Sequence, residues 1–179
     1  KLLIRLRYPF TKHHYIMKNR LLLLVISLLM SCFDNTAKAQ DVYNIVLESA
    51  TRIVNSPTSS FTQTQIAQFK RTALIYMKKK AFEETDSVPS AFLDTQAYYL
   101  SEFITFFFDE IIKSKKMSED KRKEKIMLFM DASVSNPLFD DKDQETTMAF
   151  INDGGELTPF CLNTNWQKAY AAAKSQIKK

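Results

Sequence analysis

Glycine, histidine and cysteine are scarce in this 179-residue chain, and each shortage excludes a class of site. Gly154 and Gly155 are the only glycines, so neither a Walker phosphate loop nor a dinucleotide-binding G-x-G-x-x-G motif is present. The two cysteines, Cys32 and Cys161, are too few for a structural zinc site. Both histidines lie in the first 16 residues. We therefore expect no cofactor.

The first 40 residues have the layout of an export signal. Residues 1–16 precede Met17, the first methionine, and we interpret them as sequence upstream of the natural start. Lys18 and Arg20 then lead into residues 21–30, which are apolar except for one serine, and residues 37–39 form an A-x-A cleavage site. This apolar run is shorter than the roughly 20 residues that cross a bilayer. We expect residues 17–39 to be a signal peptide.

Cys32 gives the leader a second interpretation. Residues 29–32 read Leu-Met-Ser-Cys and resemble a bacterial lipobox, in which the cysteine is acylated and becomes the new N-terminus. The protein is then an outer-membrane lipoprotein that contacts the membrane only through a lipid on Cys32. Otherwise it is periplasmic or secreted, and both alternatives remain open. Either way Cys161 lacks an intrachain disulfide partner.

The formal net charge of +5 arises from the leader. Residues 1–40 contain seven basic side chains and one acidic side chain, so residues 41–179 carry 18 basic and 19 acidic groups, a net charge of −1. A nucleic-acid-binding domain is normally strongly basic. We therefore expect no nucleic-acid partner. Loss of the leader also removes both histidines, which excludes Ser-His-Asp and Cys-His catalysis.

Helical apolar spacing runs through residues 41–179 and predicts an all-α fold, a single compact bundle of about six helices. The predicted helices are 41–54, 62–82, 90–115, 119–134, 142–152 and 165–177. Ser60 with Gln63, and Thr164 with Gln167, match the capping box that begins a helix. Ser118 precedes two acidic residues and predicts a third helix start.

The third predicted helix is rich in aromatic residues and apolar over more than half of its circumference. One face carries Leu93, Ala97, Leu100, Ile104, Phe107, Phe108 and Ile111. Such a helix is normally central in a bundle, packed on two sides. The alternative is an aromatic ligand groove, for which the candidate contacts are Tyr98, Tyr99 and Phe106.

Acidic residues suggest two further kinds of site. Asp141, Asp143 and Glu145 have the alternating spacing of calcium-binding oxygens, although the glycine and the final glutamate of a calcium loop are absent. The alternative is that they stabilise the start of the fifth predicted helix. General acid and base catalysis needs two carboxylates facing one cleft, and the candidates are Asp109, Glu110, Asp153 and Glu156.

Two features concern single side chains. Cys161 lies between Phe160 and Leu162, in a segment predicted to be a loop, and a lone thiol among apolar neighbours is usually buried and inert. Residues 86–88 read Asp-Ser-Val in a predicted exposed loop.

Three segments carry a resemblance to known proteins. Residues 66–74 (IAQFKRTAL), 93–99 (LDTQAYY) and 154–160 (GGELTPF), together with the leader ending Ala39-Gln40-Asp41, resemble small exported proteins of unknown function from Bacteroidetes. This resemblance implies no activity and no catalytic residues. It does imply that Ser87, in the Asp-Ser-Val triplet, is a candidate for O-glycosylation.

The residue inventory favours a non-catalytic binding or interaction module of the cell envelope, whose partner is an envelope protein or a small ligand. The alternative is a carboxylate-dependent hydrolase that acts on polysaccharide. A structural protein of the envelope is a third possibility.

Overall fold

Five helices and one two-stranded sheet make up the part of the chain that the computed structural model describes, residues 41–84, 89–114, 116–140, 148–152 and 156–177. In chain order the helices are α1 (Val42–Asn55), α2 (Phe61–Glu84), α3 (Ser90–Ser114), α4 (Glu119–Val134) and α5 (Trp166–Ile177). None of these five helices is long and apolar enough to cross a membrane. The mostly helical fold is confirmed, but it is not purely α-helical.

Local capping explains where α1 and α2 begin. The Ser60 hydroxyl accepts the Gln63 backbone N–H at 3.3 Å, and Gln63 Oε1 accepts the Ser60 N–H at 2.9 Å. This reciprocal pair is the predicted capping box. At the start of α1 the Asp41 carboxylate accepts the Asn44 N–H, and the Asp94 carboxylate of α3 accepts the Tyr43 N–H at 2.8 Å. The second contact ties α1 to α3.

The β-hairpin corrects the sequence prediction. Residues 148–152 were predicted to end a fifth helix, but Met148–Asn152 is strand β1, which pairs antiparallel with β2 (Leu157–Cys161). The loop predicted around Cys161 is therefore also wrong, because Cys161 pairs with Met148. Each strand has five residues, and Ile151 and Phe160 are fully buried. Strands this short give little alternation, and the burial that stabilises them depends on distant partners.

The start of α5 is capped differently from the prediction. Thr164 is not the cap, because its hydroxyl lies 3.0 Å from the Ser133 carbonyl and 2.7 Å from the Cys161 carbonyl. Asn165 takes the capping role and accepts the Lys168 N–H through Oδ1 at 3.1 Å. The buried Gln96 of α3 adds a second acceptor, since its Oε1 accepts the Trp166 N–H at 2.9 Å.

Helix α3 is central, as predicted, and contacts all four of the other described helices. Six of the seven side chains on its predicted apolar face are buried, whereas Phe108 is half-buried. Phe103 is also fully buried and lies at the centre of an aromatic cluster. Its ring centroid lies 5.5 to 5.7 Å from those of Phe129, Phe160 and Trp166. These contacts join α3, α4, β2 and α5 into one core.

Candidate ligand-binding groove

A groove of about 200 Å³ lies between α1 and α2, and α3 contributes one residue to it. Two alanines, Ala50 and Ala67, are almost fully buried, and their small side chains leave space between the helices. Ile45 and Ile53, which also line it, are 48% and 37% exposed. We call it the Lys70 groove, and its lining residues are Ile45, Val46, Ser49, Ala50, Ile53, Gln63, Ile66, Ala67, Lys70 and Ser101.

The direction of the groove follows from the helix pairing. Five residues join α1 to α2, so the two helices form an antiparallel hairpin. Ile53 and Gln63 therefore lie toward the connecting loop, whereas Ile45 and Lys70 lie away from it. From Gln63 to Lys70 the axis of α2 advances by about 10 Å. The groove is apolar along most of this length and has its cation at one end.

Lys70 is a half-buried cation in a groove whose remaining lining is mostly apolar. Its ammonium donates to the Ser101 hydroxyl at 3.1 Å. Burial lowers the pKa of Lys70, and the attraction of Glu102 partly opposes that shift. Among the described residues, no carboxylate lies within ion-pairing distance of this ammonium, since Glu102 is directed at the Tyr170 hydroxyl at 3.4 Å. The Lys70 charge is thus incompletely compensated.

Sequence reasoning did not single out Lys70 or Ser101, although the sequence contains a signal for the lysine. Lys70 follows Ile66 and Ala67 by four and three residues and precedes Leu74 by four, which places it on the apolar face of α2. A lysine on such a face is rarely fully buried without a partner. Ser101 carries no comparable signal, because only the packing of α3 against α2 brings it to Lys70.

The three aromatic candidates belong to a different surface. Tyr170 of α5 packs against Tyr99 and Phe106, with ring centroids 5.8 and 6.0 Å away. Lys174 lies over the Tyr170 ring, 4.5 Å from its centroid. Tyr98 is half exposed and touches Tyr99 edge-on. Protein side chains thus occupy much of the surface of these rings, which is the packing role expected of a core stripe. A ligand role for them stays a prediction.

The described candidate carboxylates are engaged in ion pairs or are exposed. Glu110 accepts from Lys113 at 3.0 Å and from Lys125 at 2.9 Å, and these hydrogen bonds, chiefly that of Lys125, lower its pKa. A general acid needs the opposite shift. Glu156 pairs with Arg122 at 3.2 Å and is half exposed. Asp109 is exposed, and Asp153 lies outside the described residues.

Several other candidates also fall outside the described residues. They are the metal candidates Asp141, Asp143 and Glu145, the lipidation candidate Cys32, the glycosylation candidate Ser87 and the whole leader. In the part of the chain that the structure describes, no group of three or more histidine, cysteine, aspartate or glutamate side chains is arranged to hold a metal ion.

Cys161 lies in β2, and its side chain is fully buried. Its backbone N–H donates to the Ser133 hydroxyl at 3.3 Å, which ties the hairpin to α4. The prediction of a buried thiol is confirmed.

Comparisons with known proteins identify no relative: no family model, no curated protein and no solved structure matches this chain.

Proposed function

We propose that this chain is an exported, non-catalytic binding protein of the cell envelope, and that the Lys70 groove is its ligand site. The observation that carries the proposal is the combination of an open apolar groove with an incompletely compensated cation inside it. Small-molecule sites in proteins are typically concave and mostly apolar, with a few polar groups that orient the ligand. The signal peptide that the sequence predicts in residues 17–39 supports export to the cell envelope.

Two observations favour binding over catalysis. The groove lining contains no carboxylate, histidine or cysteine, so among the described residues it offers no pair of groups for acid and base chemistry. Glu110, the most buried of the described candidate acids, is held ionised by two lysines. The carboxylate-dependent hydrolase remains the alternative, and it requires that single substitutions of Asp109, Glu110, Asp153 or Glu156 abolish polysaccharide hydrolysis while the fold persists.

A neutral fluorescent probe tests the groove itself. N-phenyl-1-naphthylamine is apolar and uncharged, and its fluorescence rises when it leaves water. We expect saturable binding of one probe per chain to the protein produced with its own leader. Ser49 is exposed and lines the groove, so Ser49→Phe fills it from the rim and weakens probe binding at least tenfold.

The matched control is Ser175→Phe, which adds the same ring at an exposed position on α5, outside the groove. We expect this variant to bind the probe like the wild type. Equal binding by the two phenylalanine variants, with unchanged circular dichroism, would place the probe elsewhere and contradict the proposal. The absence of saturable binding to the wild type would contradict it as well.

A further inference from the structure

We propose that the ligand of the Lys70 groove is an aliphatic carboxylate, whose carboxylate contacts the Lys70 ammonium and the Ser101 hydroxyl and whose tail lies along Ile45 and Ile53. This inference rests on the proposed function and adds the chemical class of the ligand. The groove combines two features that such a molecule matches, namely a cation at one end and an apolar path leading away from it.

The polar end of the groove fits a carboxylate. An ammonium has three N–H donors, and Lys70 directs one of them at the Ser101 hydroxyl. The Ser101 hydroxyl accepts that hydrogen bond and still has its own proton to donate. A carboxylate placed here accepts from both groups, and charge-assisted hydrogen bonds of this kind are about twice as strong as neutral ones.

Electrostatic complementarity determines the sign of the charge on the ligand's head group. Among the described residues that line the groove, Lys70 is the only ionisable one, and its ammonium form carries a positive charge. Glu102, the nearby acid that acts on it, is engaged by the Tyr170 hydroxyl of α5. A cationic head group would repel Lys70, and a neutral one would leave its charge incompletely compensated. An anion therefore gains an interaction that the free protein lacks.

The apolar part of the groove determines the chemical character and the length of the ligand's tail. Ile45 and Ile53 are four to five tenths exposed, so an apolar ligand removes apolar surface from water on both sides of the molecule. A groove length of about 10 Å accommodates an extended tail of about eight carbons, at roughly 1.25 Å per carbon. Each methylene that enters the groove tightens binding about threefold to fourfold, until the groove is filled.

Octanoate, 1-octanol and octyltrimethylammonium share one tail and differ in the head group, so their displacement of the fluorescent probe isolates the head-group contribution. We expect octanoate to bind at least tenfold more tightly than octanol, and octyltrimethylammonium to bind most weakly. Hexanoate is expected to bind more weakly than octanoate by roughly tenfold, because two methylenes are lost.

Lys70→Met removes the charge and keeps an unbranched side chain, so we expect it to bind octanoate no better than octanol. The control Lys168→Met removes one charge at an exposed position on α5, and it should retain the wild-type preference. Ser101→Ala should partly reduce the preference for octanoate over octanol.

The outcomes separate this inference from the proposed function. If octanoate and octanol bind with equal affinity while Ser49→Phe still blocks the probe, the carboxylate is not the recognised head group. The groove then remains a binding site. An octanoate preference that survives Lys70→Met also overturns the carboxylate. If neither the wild type nor any variant binds the probe, the proposed binding function and the carboxylate ligand are both overturned. A wild-type dimer in sedimentation that dissociates on Ser49→Phe would show that a second copy occupies the groove, which overturns the carboxylate too.

Discussion

Gln96 is the polar side chain on which the junction between α3 and α5 depends. It is 3% exposed, and its Oε1 accepts the backbone N–H of Trp166, the first residue of α5. Its Nε2 lies 3.5 Å from Asn165 Oδ1. Gln96→Met keeps the length of the side chain, replaces the amide with an apolar group and leaves the Trp166 N–H buried without its acceptor.

The loss in free energy of unfolding caused by Gln96→Met follows from two opposing contributions. A buried amide N–H without a partner costs about 1–3 kcal/mol, and the apolar methionine recovers part of that because no side-chain amide has to be buried. We therefore expect the free energy of unfolding to fall by about 1–2 kcal/mol, which for a domain of this size lowers Tm by about 3–7 °C.

Urea denaturation followed by circular dichroism measures this change. The control is Gln68→Met on the exposed side of α2, where the same substitution should change stability by less than about 0.5 kcal/mol. If Gln96→Met proved as stable as the wild type, the Gln96 hydrogen bond to Trp166 would not be stabilising the start of α5, and the reasoning about the junction would be refuted.

Three further predictions concern charge and the aromatic core. Glu110→Gln should lower stability by about 1–2 kcal/mol at pH 7, because the ionised carboxylate is paired with Lys125. Its pKa is lowered in the folded state, so the difference in urea denaturation should disappear as the pH falls through that lowered value; a pH-independent difference would contradict this. Lys70→Met should raise Tm at pH 7, because burial penalises the charged lysine, whose pKa is lowered. This increase in Tm over the wild type should shrink as the pH rises from the lowered pKa of the folded state to the unfolded value of about 10.4. A Tm below that of the wild type at pH 7 would contradict the prediction. Phe103→Ala should cost about 3–5 kcal/mol in urea denaturation, whereas Phe150→Ala, at a half-exposed position, should cost under about 1 kcal/mol; similar values for both would refute the central role of α3.

The helices could be predicted from sequence because their signals are local. The predicted segments that correspond to α1 to α5 end within two residues of the observed bounds, and the Ser60 capping box forms as predicted. Apolar spacing also identified α3 as the central helix. Each of these features depends on contacts between residues three or four positions apart, which a sequence displays directly.

The hairpin and the groove depend on distant contacts, and sequence reasoning missed both. The strand Met148–Asn152 is stabilised by pairing with Leu157–Cys161 and by burial of Ile151, so local spacing misleads there. Gln96 and Ser101 look like ordinary polar residues on a helix, and their roles appear only when α5 and α2 pack beside them. Lys70 is the exception, since a charge on an apolar face is visible in the sequence.

The central claim is that the Lys70 groove binds an aliphatic carboxylate. The position of bound octanoate tests it most directly. Intermolecular nuclear Overhauser effects, measured on protein with labelled isoleucine and valine methyl groups, report which side chains lie next to which carbon of the ligand. We predict contacts from the terminal methyl of octanoate to Ile53 and from the carbon next to the carboxylate to Val46, with Ile112 as the silent control. Contacts to Ile112 in place of Ile53, or no contacts at saturating octanoate, would contradict the account.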